Sequence, residues 1–149
     1  MAYMEVYLFK NCNEIFGETI TNDIKQNYFR FLDEVILFWK DFYGDYNKFL
    51  EIINSLHINF KFTFYISRIQ TTFLDIKLIK QDNFILTDIF YKTTDSHQYL
   101  HFHSTHPRHI KRNIPYCLAF RIIKIVNNNE LRQQRLSELK QILNDLKYP

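Results

Sequence analysis

The chain has 149 residues, 46% of them hydrophobic and 23% charged, the make-up of one globular domain or part of a larger one, which excludes wholesale disorder and the collagen, mucin and low-complexity classes. Only 2 Gly stand against 15 Phe, 10 Tyr and 1 Trp, so a glycine-rich phosphate loop is excluded while apolar surface is ample. Net charge is +3, yet residues 1–50 hold five Lys/Arg against eight Asp/Glu and residues 101–149 hold nine against three; a basic end of this kind hints at an anionic partner.

Residues 1–10 read as the tail of a helix or an extended piece, and Gly17 marks a break. Residues 27–40, NYFRFLDEVILFWK, set two aromatic and β-branched runs around the charged pair Asp33-Glu34, which predicts a β-hairpin with carboxylates at its bend. In YNKFLEIINSLH (46–57) the apolar residues Phe49, Leu50, Ile52, Ile53 and Leu56 fall at helical spacing behind Asp45 as N-cap, predicting an amphipathic helix lying on a sheet. Phe60, Phe62 and Phe64 alternate with polar residues, the period of a half-buried strand; these rings and Trp39 read as core. Two further strands are expected at 72–80 and 84–91, joined by a turn at Gln81-Asp82-Asn83.

After Thr93 the character changes, with five of the six histidines between 97 and 109. Pro107 and Pro115 suit helix starts. Residues 114–126 and 130–147 read as two helices joined by Asn127-Asn128-Asn129. The second buries Leu131, Leu136, Leu139, Ile142, Leu143 and Leu146 and leaves Arg132, Arg135 and Lys140 to solvent. No internal repeat or Gly/Ser/Pro linker appears. Cys12 and Cys117, in no CxxC pair, read as two reduced thiols. Neither a secretory signal nor an apolar run of membrane-spanning length is visible, so an intracellular protein, nuclear or cytoplasmic and without a membrane partner, is expected.

Adjacent carboxylates at a tight bend suit a hard cation: Mg²⁺ takes oxygen ligands, often one or two carboxylates, and leaves positions for water and phosphate. Without context, an Asp-Glu dipeptide is a weak signal and a solvated turn is the better account of it. His101, His103, His106 and His109 fit several zinc spacings, but cysteines are scarce, and hydrogen bonding within a turn or to phosphate is the better account. Arg108, Lys111, Arg112, Arg121, Lys124, Arg132 and Arg135 are opposed only by Glu130 between residues 107 and 135. Contacts from such a segment to a phosphate backbone give salt-dependent, sequence-tolerant affinity. Arg108, Lys111 and Arg112 come first because they enter the helix start together; the others can cover apolar surface with their stems.

FRFLDEVILFW resembles the aromatic-x-Asp-Asp hairpin of a polymerase palm. The order of the segments C-terminal to it is similar to that in the reverse transcriptases of the Penelope-like retroelement group: LEIINSLHINFKFTFYIS, TTFLDIKLIK, LTDIFYKTTDSHQYLHFHSTHP, HIKRNIPYCLAFRIIKI and the closing LKYP. The specific part is YKTTDSHQYLHFHSTHPRHIKRNIPY. The resemblance implies an α+β fold: a partial palm of antiparallel hairpins with one or two helices over residues 1–104, then a basic thumb-like helix-turn-helix region over 105–149. It makes Asp33 a catalytic, Mg²⁺-ligating carboxylate and puts Glu34 where the family has a second Asp. The implied partner is an RNA template/DNA primer duplex, read by shape.

In that family an earlier palm strand supplies another aspartate and a Gly-Pro-Gly-Ser-type loop positions template and nucleotide, whereas Met1 to Leu8 resembles the helix that comes after the loop. Asp75 lies beyond the hairpin, so it does not replace that aspartate. The expectation is therefore a reverse transcriptase fragment whose nucleotidyl transfer belongs to the complete parent and which does not polymerise alone, since two metals need carboxylates from both strands. A non-catalytic nucleic-acid-binding remnant of the same fold is the alternative.

Overall fold

A computed structural model describes residues 2–149. The architecture is α+β, with five α-helices, one antiparallel hairpin and one three-stranded antiparallel sheet. Two compact units form, the first ending at Ile66 and the second spanning Ser67–Pro149.

The first unit opens with helices α1 (Ala2–Phe16) and α2 (Glu18–Gln26). Gly17 between them sits at φ 82°, a conformation a side chain would strain. Strands β1 (Tyr28–Phe31) and β2 (Glu34–Leu37) then pair in the expected hairpin, with Phe31 opposite Glu34. A single 3-10 turn, Asp41–Tyr43, leads to α3 (Tyr46–Ser55), whose predicted cap is present: the Asp45 carboxylate accepts from the Asn47 N–H at 2.9 Å.

Leu8, Cys12, Ile24, Tyr43, Phe49, Ile52 and Ile53 form the core of this unit, and Tyr28, Leu37 and Trp39 pack at its margin. Burying Ile24 completely contributes about 1.5–3 kcal/mol. Burial likewise pushes the Cys12 thiol up to about 11. The apolar face of α3 thus meets chiefly helices, with the hairpin contributing only at the edge, which corrects the expectation of a helix lying on a sheet. At the same margin Asp23 takes the Lys40 ammonium at 2.7 Å and the Tyr43 hydroxyl at 2.6 Å, partners that hold its carboxyl below the ordinary range.

Residues 59–66 are not a strand. Their alternation is real, but only Phe62 packs on the core; Phe60 and Phe64 are nearly half exposed. With no neighbouring strand, the backbone of Phe62 is satisfied by one side chain. Asn54 Oδ1 accepts its N–H at 2.6 Å and Asn54 Nδ2 donates to its carbonyl at 3.1 Å.

In the second unit β3 (Gln70–Phe73), β4 (Ile76–Gln81) and β5 (Phe84–Ile89) form a meander in sequential order. The single strand expected at 72–80 is thus two strands, separated by a turn at Leu74-Asp75; the turn at Asp82-Asn83 is as predicted. Helices α4 (Arg108–Ile125) and α5 (Asn129–Asp145) come next. Pro107 is the N-cap of α4, but Pro115 lies inside it, with no N–H to offer the carbonyl of Lys111. The helix therefore starts six residues before the expected Ile114.

Ile89, Ile122, Val126 and Leu139 make the second core, with Leu131, Leu136 and Leu143 packed around it, so the leucine stripe of α5 faces inward as predicted. Sheet and helices share this core and several polar ties. The compact boundary falls after Ile66.

Candidate nucleic-acid interface

The basic segment is built on α4, which holds five Lys/Arg and no Asp or Glu. Its buried edge carries Ile122, Leu118, Ala119 and Ile125, while Arg108, Arg112, Tyr116, Phe120 and Lys124 are exposed. The helix ends in Val126-Asn127-Asn128, and each of these residues is used. The Val126 carbonyl accepts two bonds from the Arg132 guanidinium, at 2.9 and 2.7 Å. Asn127 bridges to β5, accepting from the Thr87 N–H at 3.0 Å and donating to the Ile85 carbonyl at 2.8 Å. Asn128 caps α5, accepting from the Leu131 N–H at 2.9 Å.

The seven predicted phosphate-binding cations are therefore in different situations. Arg108 and Arg112 are exposed and, among the described residues, without an ion-pair partner. Lys111 donates to the Ser104 carbonyl at 2.8 Å and lies 5.5 Å from the centre of the Phe102 ring. Lys124 stands over the Phe120 ring at 5.3 Å. Arg121 pairs with Asp75 at 2.9 Å.

Arg132 and Arg135 do not stand open to solvent as expected, because both are held by partners of their own. Arg135 forks onto Asp88, at 2.6 and 3.0 Å, and reaches Glu138 at 2.8 Å. Asp88 is a buried carboxylate in β5 that also accepts from the Ile89 N–H at 2.8 Å. Burial pushes its carboxyl up, but the guanidinium and the amide more than offset this and hold it below the usual carboxylate range. The signal for this pair was an acid, Asp88, within a mostly apolar strand.

Ahead of α4, residues 90–107 form an irregular loop that carries most of the histidines. It is stitched to the chain's other end: the Phe102 N–H donates to the Leu146 carbonyl at 3.0 Å, Tyr148 Oη donates to the Leu100 carbonyl at 2.8 Å, and the Phe102 and Tyr148 rings meet edge-on. His101 Nδ1 accepts from the His103 N–H at 3.2 Å, and His106 bonds Ser104 Oγ at 3.3 Å. These are turn-stabilising roles, and among the described residues no three His, Cys, Asp or Glu side chains converge to hold a metal.

The acidic bend occupies its own place on the first unit. Asp33 is the second residue of the β1–β2 turn, and Leu32 before it has φ 51°. Glu34 begins β2 and shares the solvent-facing side of the hairpin with Phe29, Phe31 and Ile36, opposite Tyr28 and Leu37. Both carboxylates are exposed. As oxygen donors they fit the one or two positions that a protein commonly gives Mg²⁺. They are not sufficient for a two-metal centre, which needs further carboxylates.

Residues 98–149 match the family model of the animal helix-turn-helix domain. Helix-turn-helix units bind nucleic acid through one helix and cross its backbone with the other. The matched segment begins inside the histidine loop and ends with the residues that clamp it, so loop, α4, α5 and the Tyr148 lock form one unit. No curated protein and no solved structure matches the chain. Among the described residues no helix is long and apolar enough to cross a membrane.

Proposed function

We propose that the chain holds a nucleic-acid duplex as the later palm and thumb-like part of an RNA-directed DNA polymerase of the Penelope-like group. The observation that carries this reading is the helix-turn-helix match over a segment whose first helix bears five cations and no acid. Arg108 and Arg112, with Lys111 beside them, contact phosphates near the start of α4; Lys124 does so near its end. Arg121, Arg132 and Arg135 spend their charge inside the unit and shape the surface from behind.

The β1–β2 hairpin supports the polymerase part of the reading, since its turn carries Asp33 with Glu34 next to it. In the complete parent these two carboxylates would help hold Mg²⁺ for nucleotidyl transfer to a primer 3′-hydroxyl. Two carboxylates alone do not make a two-metal site, so the chain by itself binds without polymerising.

Titrating a labelled RNA/DNA hybrid against salt tests the duplex reading. Affinity should fall steeply, with log K decreasing by about 0.9 per decade of salt for each phosphate neutralised, and Arg108→Ala with Arg112→Ala should flatten the slope by about two. A salt-independent response, or no binding at low salt, overturns it. Primer extension by the 149-residue chain is expected to give no product; incorporation would show that its carboxylates suffice.

A further inference from the structure

On the solvent side of α4, Tyr116 is 68% exposed and Phe120 47%, costly positions for two large aromatic rings. They are one helical turn apart and stacked nearly parallel, with ring centres 6.0 Å apart and an interplanar angle of 18°. Arg112 lies one turn before them and Lys124 one turn after, the latter over the Phe120 face. At 1.5 Å rise and 100° per residue, these four side chains fall within about a third of the helix circumference. The order along the arc is cation, ring, ring, cation, with no acidic residue anywhere on the helix.

Duplex contacts need only the cations, because bases inside a duplex are already stacked. Flat rings presented to water between positive charges match an unpaired strand, whose bases offer π-faces and whose phosphates offer charge. We propose that this arc of α4 binds single-stranded nucleic acid, stacking bases on Tyr116 and Phe120 while Arg112 and Lys124 engage the flanking phosphates. The inference rests on the nucleic-acid reading above and adds to the duplex an unpaired strand taken on the same helix.

The test uses the 149-residue chain, a fluorescein-labelled oligothymidylate of about a dozen nucleotides, and an RNA/DNA hybrid of equal length, with anisotropy as the readout. Tyr116→Ala and Phe120→Ala should each weaken single-strand binding about fivefold or more while changing hybrid affinity less than about twofold; Tyr116→Phe should retain it. Both positions are exposed, and an unchanged helical circular dichroism spectrum confirms that the variants fold. If the hybrid binds but the alanine variants leave oligothymidylate affinity unaltered, or weaken both ligands equally, the stacking inference falls and the duplex reading stands. If neither ligand binds wild-type protein, both fall. A wild-type dimer in sedimentation that Tyr116→Ala dissociates would assign the arc to contact between copies and overturn the inference.

Discussion

Two hairpins in this chain turn through the same tripeptide. Phe31-Leu32-Asp33 closes β1–β2 and Phe73-Leu74-Asp75 closes β3–β4, and in both the leucine takes a positive φ, 51° and 55°. That is the first turn position, which glycine favours in hairpins of the II′ kind. Beyond the turns the two diverge. The second hairpin gains β5 as a third strand, and Asp75 pairs with Arg121 of α4 while its backbone carbonyl accepts from the Phe90 N–H. The first remains two-stranded, and among the described residues Asp33 makes no ion pair or hydrogen bond. Identical local sequence builds the same bend; whether its carboxylate becomes a structural tie or stays exposed to solvent depends on what lies next to it.

The largest effect should come from the anchor of the second hairpin's sheet. Arg135→Ala leaves Asp88 buried without its guanidinium and should cost about 3 kcal/mol in urea unfolding, a loss with no counterpart at Asp33. The same pair sets an acid limit. Asp88 is held below its unfolded value of about 3.9, so its contribution is complete above that pH and declines as pH falls through the lower folded value. Unfolding midpoints should therefore be flat with pH above about 5 from this group and drop at lower pH, and Arg135→Ala should remove that part of the drop.

Next in size is the turn strain. Leu32 is 67% exposed, so Leu32→Gly relieves a positive φ while losing little burial and should stabilise by up to about 1 kcal/mol. Leu74 is partly buried, and Leu74→Gly should gain less or lose. Equal gains at both turns would erase the contrast. Asp75→Asn should cost under about 1 kcal/mol, because its pair with Arg121 is largely solvated. Asp33→Asn should change stability by less than about 0.5 kcal/mol; a larger loss in thermal unfolding would show that the first bend is structural after all.

Legibility tracked the range of the forces. The first hairpin, the Asp45 cap, the Asn127–Asn129 break and the leucine face of α5 were plain because alternation, capping and 3.6-residue spacing act within a few residues. The Leu74 turn was missed since leucine carries no turn signal; Phe60 and Phe64 misled because alternation marks a strand only if another strand is there to receive it. The candidate cations were all visible as charges, and Arg108 and Arg112 already ranked ahead of Arg132 and Arg135, but that the latter two are held by the Val126 carbonyl and Asp88 was not visible.

Composition and periodicity by themselves determined a β-rich body with an acidic bend early and a basic helical end. Only the folded arrangement decided which positive charges are consumed and which face outward. It also decided that β3–β5 belongs with the C-terminal helices and that Tyr148 locks the histidine loop. Most of these choices rest on contacts between residues some forty or more positions apart, such as Asp88 with Arg135 and Leu100 with Tyr148. The energy of such contacts depends on burial and mutual geometry, quantities that exist only once the chain has folded.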